Sequence, residues 1–440
     1  MNAEHAAPFV ELGHRLPVAA VLPFVLMLLG IAVIPLQWPH FWESHRNKGI
    51  FSAVLGVPVA LWILALEPTV VGHTIVDYVS FLMLLGALFV ISGGIVLRGD
   101  LRATPEVNTA FLAAGALLAN AIGTTGASVL LIRPLLRTNS PERKHIGHIP
   151  IFFIFVVSNC AGLLTPLGDP PLFLGYLRGV PFFWTLRLVV EWGFVVGALL
   201  AMFYAFDRVQ VAKEDQMTEA AEDLREYEPL RIAGSYNFLY LAGVLGIVLV
   251  SPAFPEGWIQ DVVRLAVMAL MIWLSLTTTP KELHDENGFT FGPIQEVSVL
   301  FAGIFATMIP ALEILRARGA ELGVTEPWQF YWLSGALSSF LDNAPTYLTF
   351  VALAQGLHQS GQAAVDMTGG PVAETLLAAV SCGSVMMGAN SYIGNGPNFM
   401  VKAIAEEQGV EMPSFFGYMA WSCSILVPLF VVVTVIFFRG

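Results

Sequence analysis

The chain has 440 residues, of which 56% are hydrophobic and only 12% are charged. Roughly a quarter of the residues in an ordinary soluble domain are charged, so this composition excludes that class, and the formal charge of −12 argues against nucleic-acid binding. Apolar runs of about 20 residues indicate helices that cross a lipid bilayer, whereas a β-barrel would show alternating segments of about ten residues. We therefore expect an all-α polytopic membrane protein.

The predicted spans follow one another along the whole chain, and two of them are interrupted by polar residues. They cover residues 17–37, 49–66, 77–97, 149–176 (interrupted), 182–206, 235–252, 257–278, 293–314, 373–404 (interrupted) and 414–438. Two further segments, 107–136 and 328–356, have a polar centre between two apolar arms. About a dozen residues per arm is too short to span the bilayer. Because non-helical backbone at membrane depth needs protein or water around it, these segments predict re-entrant helical hairpins.

Basic residues predict the orientation of the spans. Fourteen of the 21 Lys and Arg residues lie on one side of the predicted topology and five on the other. Cytoplasmic loops carry the excess of basic residues, which predicts both termini outside a cytoplasmic (inner) membrane. Residues 1–16 form a short polar leader without the basic region of a cleaved signal peptide. The one long hydrophilic run, 207–234, is predicted to be a solvated cytoplasmic helix that links the two halves.

The two halves repeat the same order of elements. Residues 1–206 and 235–440 each contain three spans, a hairpin, an interrupted span and a final span. Asn120 and Asn343, which we match with each other, precede Gly168 and Gly394 by 48 and 51 residues. Each half crosses the membrane an odd number of times, so we expect inverted-topology repeats. Paired interrupted helices in inverted repeats indicate a transporter site near the bilayer midplane.

Three short motifs resemble a known group of transporters. The pattern SNxxGxxTPxGDP at 158–170 resembles that of D-type sodium/proton antiporters. The sequences DNAPT at 342–346 and GNGPN at 394–398 resemble citrate-carrier-like and arsenite-efflux members of the ion-transporter superfamily. The resemblance implies a homodimer with a dimerising scaffold domain and a mobile transport domain. Sodium/dicarboxylate symporters carry Ser-Asn-Thr at the hairpin tips, whereas the first tip here reads NAIGTT at 120–125, which puts a dicarboxylate substrate in doubt.

The hairpin tips and the helix breaks predict cation sites. Breaks expose backbone carbonyls, and helix C-termini add negative potential, which suits Na⁺ as a transported or coupling ion. We expect one site in each half, built from a tip and a break. The first combines Asn120, Gly123, Thr124, Thr165, Gly168 and Asp169, and the second combines Asp342, Asn343, Thr346, Ser391, Gly394 and Asn395. In this alignment Asp169 matches Asn395, and Asp342 matches Ala119.

Asp169 and Asp342 are the carboxylates expected to bind Na⁺. A charge at membrane depth costs a few kcal/mol or more, so such a residue suggests a function. A carboxylate that holds either a proton or Na⁺ is sufficient for antiport. In the structural alternatives, both aspartates only cap helices beside prolines, and the asparagines, glycines and prolines only shape the breaks.

These features predict a secondary active transporter, namely a sodium/proton antiporter that works by alternating access. The alternative is a Na⁺- or H⁺-coupled transporter of citrate or a related small carboxylate, which helix N-termini could hold without arginine. Paired breaks argue against a channel. No nucleophile–base pair or metal motif indicates an enzyme, and no P-loop indicates ATP, so we expect no cofactor and an ion gradient as the energy source.

Overall fold

The computed structural model describes residues 12–99, 102–139, 143–213, 229–254, 257–357 and 362–439. Within these ranges eight helices are long and apolar enough to cross a membrane. The β-structure there consists of two short antiparallel pairs, β1 with β2 and β3 with β4. The strands are β1 Val96–Arg98, β2 Arg231–Ala233, β3 Ala364–Val365 and β4 Val372–Ala373. The predicted all-α polytopic membrane fold is confirmed.

The α-helices of the described ranges are numbered in chain order. They are α1 Leu22–Gln37, α2 Pro39–Trp42, α3 His45–Leu66, α4 Pro68–Gly93, α5 Pro105–Asn139, α6 His148–Val156, α7 Pro170–Leu177, α8 Val189–Val211, α9 Asn237–Val250, α10 Trp258–Thr278, α11 Lys281–Glu286, α12 Gly292–Arg318, α13 Pro327–Ser338, α14 Asn343–Gln355, α15 Glu374–Met386, α16 Gly396–Glu407 and α17 Phe415–Val433. Short 3₁₀ segments are Val18–Val21, Cys160–Leu163, Phe182–Leu188, Ser251–Ala253, Gly319–Leu322 and Met387–Asn390, and a π-helical turn is Thr434–Phe438.

Two regions differ most from the sequence prediction. Helix α4 begins at Pro68, well before the predicted start at 77; Val70 and Val71 in its first turns are buried, and Asp77 farther along lies 3.3 Å from Arg178. The predicted linker 207–234 overlaps the end of α8 and the whole of β2. Its central residues 214–228, where a solvated helix is predicted, lie outside the described residues.

Both predicted hairpins fold back on themselves. Helix α5 is interrupted at Gly123, whose φ of 79° and ψ of 155° favour glycine. Asn108 and Asn139, near its two ends, exchange side-chain hydrogen bonds of 2.9 and 2.8 Å. The rings of Phe330 in α13 and Phe350 in α14 meet edge to face with centroids 6.2 Å apart. In each case the outer ends of the two arms therefore lie side by side.

The helices pack in two groups. In one group α1, α3, α4, α9, α10 and α12 contact one another; in the other, α5 to α8 and α13 to α16 do so. Small residues let α3 and α12 approach closely, since a Cβ at Gly303 would lie 2.8 Å from Ser52 Cβ. The groups meet where α4 contacts α5 and α7 and where α12 contacts α14. The hairpin tips and both breaks belong to the second group.

Candidate ion site

Asp169 lies between the two halves of the first broken span. Pro170 follows it and favours an extended backbone, observed at φ −142° and ψ 143°, so α7 begins with the next residue. Among the described residues its side chain makes no capping hydrogen bond, although it occupies the N-cap position. The side chain is instead turned into the protein, where the residue is only 1% exposed.

Three neutral side chains donate hydrogen bonds to the Asp169 carboxylate. Thr124 Oγ1 lies 2.9 Å and Asn395 Nδ2 lies 3.1 Å from Oδ1, and Asn343 Nδ2 donates to Oδ2. Thr124 belongs to the first hairpin, Asn343 to the second hairpin and Asn395 to the second break. We call these four buried residues the Asp169 cluster. Both tips and both breaks therefore contribute one side chain each to a single cluster.

One oxygen of the cluster has no donor. Asn343 Oδ1 is buried and accepts no hydrogen bond from the part of the chain that the structure describes. A buried amide oxygen without a partner is costly, and amide orientation follows from the surrounding network. Beside the Asp169 carboxylate, such an oxygen suits a cation with oxygen ligands.

Asparagines also connect the two breaks behind the cluster. Asn395 Nδ2 lies 3.2 Å from both Ser158 O and Asn159 Oδ1. Asn159 Nδ2 donates to Asn398 Oδ1 at 2.6 Å, and Asn398 Nδ2 donates to Ser391 O at 2.9 Å. These bonds join breaks that are more than 200 positions apart in sequence, so only the folded chain reveals the network.

Several predicted site residues hold the hairpins against the breaks instead of contacting Asp169. Thr165 Oγ1 donates to Asn120 O at 2.5 Å, and Asn120 Oδ1 accepts from Leu164 N at 2.9 Å. Gly123 forms the first tip, and Thr124 N beside it donates to Gly168 O at 2.8 Å. These contacts position the residues of the cluster.

The second half repeats the hairpin contact and corrects our alignment. Ser391 Oγ donates to Ser339 O, as Thr165 Oγ1 donates to Asn120 O. Asn120 therefore corresponds to Ser339 and not to Asn343. The predicted match failed because it paired like residue types, whereas the contact is made by a backbone carbonyl that any residue can supply.

The corrected alignment pairs the members of the cluster. Four residues after Asn120 and Ser339 come Thr124 and Asn343, and both bind Asp169. Asp342 then matches Gly123, not Ala119, while Asp169 still matches Asn395. Each half thus supplies one side chain from a tip and one from a break.

The breaks have the same close backbone crossing. A Cβ at Gly168 would lie 2.3 Å from Gly162 O, and one at Gly394 would lie 2.5 Å from Gly388 O. Glycine is therefore required at both crossings because two backbone segments touch there.

Asp342 occupies a different position from Asp169. Its Oδ1 accepts from Ala344 N at 3.0 Å, which makes it the N-cap of α14, and Thr346 Oγ1 donates to its backbone oxygen at 3.0 Å. This is the capping contact that the structural alternative expects, and Na⁺ binding by Asp342 stays a prediction. The structure groups Asn343 and Asn395 with Asp169 and not with Asp342, so it does not build the expected separate second site.

A cavity of about 140 Å³ lies beside the cluster. Its walls are mostly apolar side chains of α4, α7 and α12, and its polar lining residues include Thr124, Thr125 and Asp169. Among the described residues that line it, none is Lys, Arg or His. Asp169 therefore borders a space whose described lining contains no basic side chain.

Charged residues gather at the other end of α7. Arg178, directly after this helix, lies 3.3 Å from Asp77 of α4, and its backbone oxygen accepts from Thr368 N at 2.7 Å. Arg316 of α12 pairs nearby with Glu313 and donates to Gln355 at 2.7 Å. Helix α7 is roughly 12 Å long, so one rigid element joins Asp169 to these ion pairs. Sequence analysis missed the Arg178–Asp77 pair because its partners are about 100 positions apart in the chain.

A second buried network closes the outer ends of the first hairpin. Asp207 of α8 accepts from Arg143 at 2.5 Å, from His148 Nε2 at 2.8 Å and from Asn108 at 3.0 Å. Asn139 bonds to Arg143 as well as to Asn108. The carboxylate is fully partnered, which indicates that it anchors the hairpin.

A family model described as "Putative citrate transport" matches residues 13–438. The chain belongs to this family. No curated protein matches it. Together with the helical fold, the match confirms the resemblance to the citrate-transporter branch of the ion-transporter superfamily and identifies a multi-pass membrane protein of a secondary-transporter family.

Proposed function

We propose that the chain is a sodium/proton antiporter in which Asp169 holds Na⁺ and H⁺ in turn. The observation that carries the proposal is a buried carboxylate whose hydrogen-bond partners, Thr124, Asn343 and Asn395, are all neutral. A buried charge without a paired charge is strongly unfavourable. A proton or a bound cation neutralises it, and each must leave before the other binds.

The composition of the cluster favours Na⁺ as the cation. The Asp169 carboxylate, the Thr124 hydroxyl and the unpartnered Asn343 Oδ1 are oxygen ligands, which a hard cation prefers. Rotation of the Asn395 amide would supply a further oxygen. Asp342 adjoins Asn343 and adds a second negative charge, the other Na⁺ ligand that the sequence suggests.

The position of the four cluster residues in one helix group supports alternating access. All belong to the second helix group, so a movement of this group against α4 and α12 would carry the cluster as one body. We further infer that the halves are inverted repeats, which the matched hairpin contacts support, and that the protein is a homodimer in the inner membrane with both termini outside. These inferences rest on sequence pattern and resemblance.

The test uses purified protein in liposomes with an internal pH dye. We expect added Na⁺ or Li⁺ to move protons without any carboxylate present, and Asp169→Asn to abolish this movement. Glu407→Gln is the matched control, because Glu407 pairs with Arg133 at the surface with its own side chain 62% exposed. An Asp169→Asn protein that exchanges at the wild-type rate would overturn the proposal.

The second candidate is a Na⁺- or H⁺-coupled transporter of citrate or another small carboxylate. The family description favours it, and Thr124, Thr125 and Gly126, at the start of the second arm of α5, line the same cavity. The absence of basic residues among the described lining is less favourable for a tricarboxylate. Uptake of labelled citrate that depends on Na⁺ or on a proton gradient would select this candidate.

A further inference from the structure

The cavity beside Asp169 is larger and more apolar than an inorganic cation requires. One water molecule needs roughly 10–15 Å³ of such space, whereas this cavity has about 140 Å³. Its walls include Leu85, Leu88 and Phe89 of α4, Phe173 of α7 and Ile294 of α12. Transport of Na⁺ alone gives no reason for a space lined by leucine and phenylalanine.

The residues that line the cavity differ in exposure. Asp169 is 1% and Phe173 is 0% exposed, whereas Pro293 and Gly396 are exposed at the protein surface. A ligand can therefore enter past Pro293 and Gly396 and reach the carboxylate with its leading group. Pockets that are mostly apolar and have few polar groups are typical of sites for small organic ligands.

The acceptor capacity of Asp169 determines the charge of that leading group. An ionised carboxylate offers about four acceptor positions, and three are occupied by Thr124, Asn343 and Asn395. One position on Oδ2 remains for a donor. An anion would face the carboxylate without a basic partner in the described lining, and a neutral ligand would gain less than a cation from this acceptor.

We propose that the cavity binds small aromatic ammonium cations, with the N–H groups donating to Asp169 and the ring lying among Leu85, Leu88 and Phe89. Phe89 and Phe173 are aromatic residues of the lining, and aromatic rings attract cations. The site goes beyond the proposed antiport, because it requires an accessible carboxylate and an apolar wall but no transport of Na⁺. Such a ligand would occupy the cavity that leads to the cluster.

The test is calorimetric titration of purified wild-type protein in a sodium-free potassium buffer. The probe is phenethylammonium, with the neutral 2-phenylethanol and the anionic 3-phenylpropionate as matched ligands that partition into detergent through the same ring. We expect the ammonium to bind at least about tenfold more tightly than either, as one charge-assisted hydrogen bond implies. Equal affinities, or no binding of the ammonium, would overturn the proposal.

Two variants test separately what Asp169 and the apolar lining of the cavity contribute to binding. We expect Asp169→Asn to lose the preference for the cation, and Leu85→Phe, which fills the cavity, to weaken ammonium binding at least about tenfold. Leu61→Phe is the control, since Leu61 on α3 is 61% exposed on the apolar surface. If Asp169→Asn does not fold, the comparison of the three ligands on the wild-type protein and the affinity of Leu85→Phe for the ammonium still test the proposal. Unchanged affinity in Leu85→Phe would place the ligand elsewhere and refute the site.

Addition of Na⁺ distinguishes this inference from the proposed function. Competition between Na⁺ and phenethylammonium would support both, because both would use Asp169. Ammonium binding that needs Asp169 but is insensitive to Na⁺ would support the organic-cation site and contradict Na⁺ binding at this carboxylate.

Discussion

Replacement of Gly168 by alanine tests the close crossing that positions Asp169. The new Cβ would lie 2.3 Å from Gly162 O, 2.8 Å from Gly162 C and 3.0 Å from Gly162 Cα. Nonbonded atoms attract each other at roughly 3.5–4.0 Å, so the two segments must separate by about 1 Å. All three contacts are with backbone, and no side-chain rotation can relieve them.

The expected cost follows from this geometry. Forcing an extra methyl group into a packed interior costs about 1–3 kcal/mol, which lowers the population of the packed break by roughly 5- to 150-fold. Gly168 O also accepts from Thr124 N at 2.8 Å. The displacement therefore moves Asp169 and Thr124 apart, and we expect cation-driven proton movement to fall by at least about tenfold.

The assay compares three variants in the same liposomes, with thermal unfolding in detergent as a second measurement. Gly394→Ala should behave like Gly168→Ala, because its Cβ would lie 2.5 Å from Gly388 O. Gly193→Ala is the control: within the described structure a Cβ there meets nothing within 4 Å, and alanine favours the helix. If Gly168→Ala matches Gly193→Ala in both stability and transport, the crossing does not position the site.

Three further predictions concern side chains around the site. Thr124→Val removes one donor to Asp169, so we expect the Na⁺ concentration for half-maximal exchange to rise about tenfold or more, whereas Thr125→Val should leave it nearly unchanged. Asp342→Asn keeps an N-cap residue and should unfold like the wild type, whereas Asp342→Ala should lower the free energy of unfolding by about 1 kcal/mol. An Asp342→Asn protein that is stable but does not transport would show that transport requires the charge of Asp342. Arg178→Gln leaves Asp77 without this ion-pair partner and should lower the unfolding temperature, and Asp77→Asn in the same chain should restore much of the loss. If Asp77→Asn restores nothing, the uncompensated Asp77 charge is not the cause of the loss.

Local sequence pattern was sufficient to predict most of the membrane-spanning elements. Apolar runs, Pro170 and Gly123 predicted the spans, one break and one tip, because bilayer thickness and backbone geometry act on neighbouring residues. The start of α4 was missed, since the polar residues Thr69, His73 and Thr74 interrupt the apolar run in its first turns.

The partners of Asp169 depended on tertiary structure. The sequence singled out Asp169, Asn343 and Asn395 as polar residues at breaks or tips, but assigned the two asparagines to a site with Asp342. Folding placed both on Asp169, 174 and 226 positions away along the chain. Composition and periodicity determined that the chain crosses a membrane and where its helices break, because these depend on local solvation and backbone freedom. Only the packing of one half against the other decided which carboxylate accepts these buried hydrogen bonds. A hydrogen bond requires two groups to be adjacent in space, and local sequence pattern does not show which distant residues become adjacent.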